Sequence, residues 1–354
     1  MNVADQNPRK NDLGLDGIEF IEFSSPNPHK LGQLFSEFGF SKLRKHGSKA
    51  IDLYEQGSIY FLVNQEAGSF SENFFQTHGP CVSAMGWRVK DATKALKLAL
   101  ERGAKAAPKS DYTNAKGQWI PAIEGIGGSL IYFIEGYEQA DVYQRLGFVP
   151  HEKPNKVQGY GFQVIDHLTN NVHQGTMGQW ADFYKNIFGF FEVRYFDIRG
   201  AKTGLTSYAL RSPCGKFCIP INEGTEKKSQ INEYLDEYKG PGVQHIALTT
   251  SNIIESLEAL KKTSIETLDI DDQYYQEVFT RVPNVTEDKK ALRDLNILVD
   301  GDEEGYLLQI FTKNIIGPIF IEIIQRKNHL SFGEGNFGAL FRSIERDQEK
   351  RGFI

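Results

Sequence analysis

Two imidazoles and one carboxylate stand out by their spacing. His167 and His245 are 78 residues apart, and His245 and Glu322 are 77 apart. Two His and one Glu make the ligand set of a facial triad, which suits Fe(II) and leaves adjacent coordination positions for a substrate and dioxygen. Zinc or manganese would accept the same ligands, and zinc would point to hydrolysis. Glu322 interrupts Ile319-Phe-Ile-Glu-Ile-Ile, a stretch apolar on both strand faces, where an unpaired charge would cost several kcal/mol. It therefore calls for a cationic partner. Arg326 or Arg281 would be the ordinary answer, with His167 capping a strand and His245 a satisfied core histidine. That account needs three coincidences on three strands. His29, His46, His78, His151, His173 and His329 lie in polar or turn-like stretches and are expected at the surface.

The elements that must position the triad come from an internal repeat. Gly17 to Phe40 and Val164 to Phe190 share a strand, helix, Gly-Phe pattern. Gly79-Pro-Cys-Val-Ser-Ala leads to a helix through Ala92 to Arg102, and Gly240-Pro-Gly-Val-Gln-His leads to one through Ile253 to Lys262. Gly128-Ser-Leu-Ile-Tyr-Phe-Ile and Gly317-Pro-Ile-Phe-Ile-Glu-Ile close the halves as β-rich strands. Each half reads as two strand-helix-strands modules, an α+β fold of two open barrels with helices outside. Superposing the repeats sets His167 on Phe20, His245 on Ala84 and Glu322 on Phe133, so the front half carries no ligands. The polar stretch Pro150 to Gln158 is the expected linker, dividing a structural domain, 1–154, from a catalytic one, 155–354.

Composition bounds the function class. The 354 residues are 40% hydrophobic and 24% charged, enough for a sizeable core, with a formal net charge of −6 that gives no reason to expect nucleic acid or a membrane surface as partner. Three cysteines, Cys81, Cys214 and Cys218, are an odd count, which favours a reducing compartment over a disulfide scaffold. Cys214 and Cys218 have no second pair to complete a zinc site and read as hairpin residues. The polar first seventeen residues lack the apolar stretch of a signal peptide, and the longest apolar runs span about half of a membrane helix, so a cytoplasmic protein is expected.

Gly333-Glu-Gly335-Asn-Phe-Gly338 matches a dinucleotide fingerprint, but Gln325 to Ser331, directly before it, is polar where the fingerprint needs a strand, and too little chain follows for the second strand. Phe337, Leu340, Phe341 and Ile344 mark an amphipathic helix after it. A glycine-rich hinge with such a helix reads as a lid over an apolar pocket, with Phe332 and Phe337 facing inward.

Gly-Val-Gln-His-Ile-Ala (242–247), Leu-Leu-Gln-Ile-Phe (307–311), Gly-Pro-Ile-Phe-Ile-Glu-Ile-Ile-Gln-Arg-Lys (317–327) and the run from Phe332 to Gln348 strongly resemble 4-hydroxyphenylpyruvate dioxygenase, along nearly the whole chain. The resemblance implies a vicinal-oxygen-chelate fold with the rear barrel active. It implies one Fe(II) per subunit on His167, His245 and Glu322, O2 as co-substrate, no 2-oxoglutarate, and conversion of 4-hydroxyphenylpyruvate to homogentisate in tyrosine catabolism by a dimer or tetramer. It maps Ser207, Asn222, Gln230, Gln244 and Gln309 to polar positions around the substrate. Phe311, Phe337 and Asn336 map to ring-binding and lid positions, with Phe320, Phe332 and Leu340 nearby. Gln309 and Phe311 share a strand face, whereas Gln244, adjacent to His245, would point away on a regular strand. Ile265 to Arg281 carries few family residues. A hydroxymandelate synthase, or a metal-free binding module of the same fold, would be the alternative readings.

Overall fold

A computed structural model describes residues 11–114, 116–200 and 203–353. Most of the polar N-terminal stretch read against a targeting segment, residues 1–10, lies outside the described residues. Eight strands form the front sheet: β1 (Leu15–Ser24), β2 (Ser41–His46), β3 (Ile51–Gln56), β4 (Ile59–Asn64), β5 (Cys81–Val89), β6 (Ala122–Glu124), β7 (Leu130–Ile134) and β8 (Phe148–Asn155). Eight more form the rear sheet: β9 (Phe162–Val172), β10 (Phe191–Arg199), β11 (Gly204–Arg211), β12 (Cys218–Gly224), β13 (Gly242–Thr250), β14 (Leu298–Gly301), β15 (Tyr306–Phe311) and β16 (Phe320–Lys327). The orders are β6-β7-β5-β1-β4-β3-β2-β8 and β10-β11-β12-β9-β13-β16-β15-β14. Read in opposite directions they coincide over seven strands, with β8 and β14 as extra edges at opposite ends.

The repeat extends to helix starts. Ser69 Oγ accepts from the Glu72 amide to cap Phe70–His78, and Ser229 Oγ accepts from the Asn232 amide to cap Gln230–Tyr238. Asp91 and Asn252 likewise cap Ala92–Glu101 and Ile253–Leu260. Such side chains satisfy amides that the first helical turn leaves unpaired. The halves share one apolar core, in which Trp87 packs on Phe188, Phe190 and Phe217 at 4.8, 5.8 and 5.2 Å between rings.

Register corrects the superposition at one point. Ala247 lies between His167 and Glu322 across β9, β13 and β16, and its counterpart Gly86 lies between Phe20 and Tyr132. Glu322 therefore corresponds to Tyr132, one residue from the expected Phe133. The linker reading also shifts: Phe148–Asn155 is an exposed edge strand paired only with β2. An edge tolerates Pro150 and Pro154 because a proline lacks only the amide that would face solvent. His46 is buried against Phe148, with rings 5.4 Å apart, not at the surface. Cys214 lies in the turn between β11 and β12, its Sγ 3.3 Å from Ser212 Oγ, and Cys218 opens β12.

Candidate metal centre

His167, His245 and Glu322 rise from three adjacent central strands, β9, β13 and β16, and meet inside the rear barrel. His167 Nε2 is 3.1 Å and His245 Nε2 3.4 Å from Glu322 Oε2, and the two Nε2 atoms are 3.3 Å apart. The three side chains are almost completely removed from solvent. An ion about 2.1 Å from each donor would set neighbouring donors about 3 Å apart, so the spacing fits one first-row metal. Glu322 has neither arginine partner: Arg326 binds Asp166, and Arg281 binds Asp300. The ordinary account of these residues is thereby removed. Among the described residues this is the group of His, Cys, Asp and Glu side chains placed to hold a metal.

Each imidazole is oriented by the residue before it. Asp166 Oδ2 is 2.8 Å from His167 Nδ1, and Gln244 Oε1 is 2.9 Å from His245 Nδ1. On regular strands these neighbours would face away. Both sit at register shifts: Gln244 is the extra residue between the pairs Val243↔Asn170 and His245↔Thr169, and Asp166 the extra residue between Ala247↔His167 and Leu248↔Ile165. A bulge re-aims one side chain, which is why Gln244 reaches the cavity despite its place beside His245. With both Nδ1 atoms engaged as donors, both Nε2 atoms are the metal-facing lone pairs.

The electrostatics are those of a cation site. Burial opposes charge on His167, but Glu322 and Asp166 raise it to about 9. Burial also depresses His245, against the pull of Glu322. Burial raises Glu322, yet the two imidazoles outweigh it and bring the carboxyl to about 2. Partial burial opposes charge on Asp166, yet the Arg326 guanidinium holds its carboxyl well below the usual carboxylate range. The carboxylates thus stay ionised, and a bound metal would replace the His167 proton.

A cavity opens over the triad. Its wall includes the predicted polar residues Ser207, Asn222, Gln230 and Gln244. Phe311, Phe320, Phe332, Phe337 and Leu340 supply its apolar side. The Phe320 ring stacks on His245 at 4.8 Å, and Phe332 meets His167 edge-on at 5.6 Å. Gln309 and Asn336 are buried but do not line this cavity. Gln309 packs beneath Gly333, and among the described residues its amide has no hydrogen-bond partner. Asn336 Oδ1 instead accepts from Tyr274 Oη at 2.6 Å. Sequence reasoning missed Asp166, Thr169, Phe196, Ile198, Leu205 and Pro220. Of these only Asp166 carried a signal, its place next to His167.

The helix Phe337–Lys350 covers the cavity with Phe337, Leu340, Phe341 and Ile344. Gly335 donates to Asp300 Oδ2 at 3.0 Å, and a Cβ there would collide with Arg281 Nη1. Gly333 has φ +77°, with its Cβ position against Gln309. These glycines serve the root of the helix through close approach and a left-handed turn, which is why a fingerprint pattern occurs without a Rossmann unit. The segment Ile265 to Arg281 supplies this root through Tyr274 and Arg281.

Sheet topology and a three-residue metal site in one half define the class, and comparison with known proteins agrees. Residues 164–310 match the family described as "Glyoxalase/Bleomycin resistance protein/Dioxygenase superfamily", and residues 9–149 match "Hydroxyphenylpyruvate dioxygenase, HPPD, N-terminal". The 4-hydroxyphenylpyruvate dioxygenase of Legionella pneumophila is 46% identical, over 97% of this chain and 98% of its own. Protein MelA of Shewanella colwelliana is 56% identical, over 99% of this chain and 100% of its own. A mutant of 4-hydroxymandelate synthase from Streptomyces coelicolor superposes with TM-score 0.82 at 21% identity, over 95% of this chain and 99% of that one, a likeness of fold. The chain belongs to the 4-hydroxyphenylpyruvate dioxygenase family. Among the described residues no helix is long and apolar enough to cross a membrane.

Proposed function

We infer that the protein is a non-haem metal dioxygenase that converts 4-hydroxyphenylpyruvate and O2 to homogentisate and CO2, with Fe(II) as its metal, one per subunit. The carrying observation is the convergence of His167, His245 and Glu322 within 4.8 Å at the floor of a cavity walled by phenylalanines. Bound Fe(II) would supply an anchor for the 2-oxo acid and the redox chemistry that activates O2, with no need of 2-oxoglutarate because the substrate brings its own oxo acid.

The chain's own residues position and exclude. Asp166 and Gln244 keep protons on both Nδ1 atoms and so aim both Nε2 atoms inward. Asn222, Gln230 and Ser207 line the polar wall and would hold the oxo acid or phenol oxygen. Phe311, Phe320, Phe332 and Phe337 offer faces and edges that suit an aromatic ring. The C-terminal helix closes over them and keeps water out, which strengthens every polar contact inside. Asn336 and Gln309 complete the proposed set as the root and underside of this lid. We assign 1–154 as the structural half and 155–354 as the catalytic half. Three free cysteines support a reducing, cytoplasmic setting, and assembly as a homo-oligomer belongs to the same reading.

Oxygen uptake by anaerobically Fe(II)-loaded protein given 4-hydroxyphenylpyruvate, with chromatography of the product, tests this. Homogentisate is expected, and His245→Ala should lower turnover at least ~10³-fold, about 4 kcal/mol of barrier. Hydroxymandelate as product would transfer the protein to the sister oxygenase. Absence of oxygen uptake would leave a binding module.

A further inference from the structure

Arg326 joins two things that chain order keeps apart. It lies four residues after Glu322 on β16, so both side chains leave the same strand face. Its Nε and Nη2 grip Asp166 Oδ1 and Oδ2, each at 2.8 Å, and Asp166 Oδ2 also meets His167 Nδ1 at 2.8 Å. Its remaining nitrogen, Nη1, donates to the carbonyls of His329 at 3.1 Å and Ser331 at 2.7 Å. Those carbonyls belong to the turn that enters the lid, and the next residue, Phe332, packs its ring on His167. One planar fork therefore holds the carboxylate that orients a metal ligand and the backbone on which the lid is hung. Lysine, a point charge on a flexible stem, cannot do both.

We propose that Arg326 is a positioning residue that couples seating of the C-terminal lid to the orientation of His167, with Asp166 as the link. Fixing His167 on a metal fixes Asp166, and through Arg326 the entry turn. Conversely, a displaced turn frees the guanidinium and loosens the imidazole. Among the described residues the front half lacks this device. Glu19, the counterpart of Asp166, meets Arg88 Nε at 2.6 Å, but it precedes Phe20 instead of a ligand. This inference rests on the metal site proposed above.

The test uses the full chain with Co(II), titrated anaerobically by its absorption bands, and amide hydrogen exchange of residues 329–337 with and without the ion. In the unsubstituted protein Co(II) should bind and slow exchange in that segment. Arg326→Gln should weaken Co(II) binding about 10- to 100-fold and abolish the metal-dependent protection, even at saturating Co(II). Arg326→Lys should recover part of the affinity and none of the protection. Asp166→Asn, nearly isosteric, should behave as Arg326→Gln does, and it carries the test if that variant fails to fold. Affinity within twofold of the original, or protection that persists in both variants, would overturn the coupling while leaving the metal site standing. No Co(II) binding by the unsubstituted protein would overturn both.

Discussion

The front and rear barrels share strand order, helix caps and even their bulges, yet one interior is a packed core and the other a site. Ser83 is the extra residue between Glu22↔Ala84 and Phe23↔Val82, as Gln244 is behind, and Glu19 that between Ile18↔Trp87 and Phe20↔Gly86, as Asp166 is behind. What differs is the cargo. Phe20, Tyr112 and Tyr132 fill the front barrel with rings 5.3–6.1 Å apart, where His167 and Glu322 stand in the rear. The fold therefore supplies inward-aimed positions in duplicate, and only side-chain chemistry decides which set becomes a metal centre.

The front interior keeps a pair of buried acids, Glu22 and Asp111. Glu22 is fully buried, accepting from Ser83 Oγ at 2.9 Å, Asn64 Nδ2 at 3.3 Å, Ser71 Oγ and Tyr112 Oη. Burial and then the neighbouring Asp111 carboxylate push it up to about 7. In the rear barrel the imidazoles push Glu322 the other way. Both are buried strand carboxylates that burial raises: at Glu22 the Asp111 charge adds to that rise, and at Glu322 the imidazoles outweigh it.

Copying the ligand types forward would break the comparison if it succeeded. Phe20→His, Ala84→His and Tyr132→Glu together should bind no second ion, because Tyr112 still fills the space. The added buried charge should destabilise the chain by at least about 3–5 kcal/mol. A denaturant melt and a metal count check both, and two ions per chain would show that geometry alone makes the site.

Glu22 gives a smaller effect with a definite sign. Its folded value of about 7 lies above the ordinary 4.5, so between these values the folded state holds a proton that the unfolded chain has released. Stability from this group is fully present below pH 4.5 and lost as pH rises through 7, on the order of 3 kcal/mol in all. Glu22→Gln should flatten that fall in urea titrations at pH 5 and pH 8. An unchanged slope would mean that the acid is not held neutral.

At the surface, Arg194 Nε lies 3.2 Å from Glu334 Oε1, tying β10 to the lid turn with the arginine 61% exposed. Arg194→Ala should cost less than about 0.5 kcal/mol in the same melt. A larger loss would move part of the lid's anchorage away from Tyr274, Asp300 and Arg326.

The ligands and the two-barrel plan were legible because a repeat lets one half serve as the control for the other. Glu322 announced itself as a charge in an apolar strand, and the lid helix by its 3.6-residue spacing. Three things were not legible. Bulges at Asp166 and Gln244 change which neighbours face inward, and strand periodicity cannot register a single extra residue. The same limit moved Glu322's partner from Phe133 to Tyr132. Long-range polar contacts such as Arg326 with Asp166, 160 residues apart, leave no local trace. An edge strand with two prolines and little apolar pattern, Phe148–Asn155, reads as linker because only its partner β2 makes it a strand.

The most direct test of the central claim is an anaerobic titration with Fe(II), counting ions bound per chain in the unsubstituted protein and in Glu322→Ala. The account predicts one ion per chain for the first and none held tightly by the second. Two ions, or one retained after Glu322→Ala, would contradict a single site built from the rear half's two imidazoles and carboxylate.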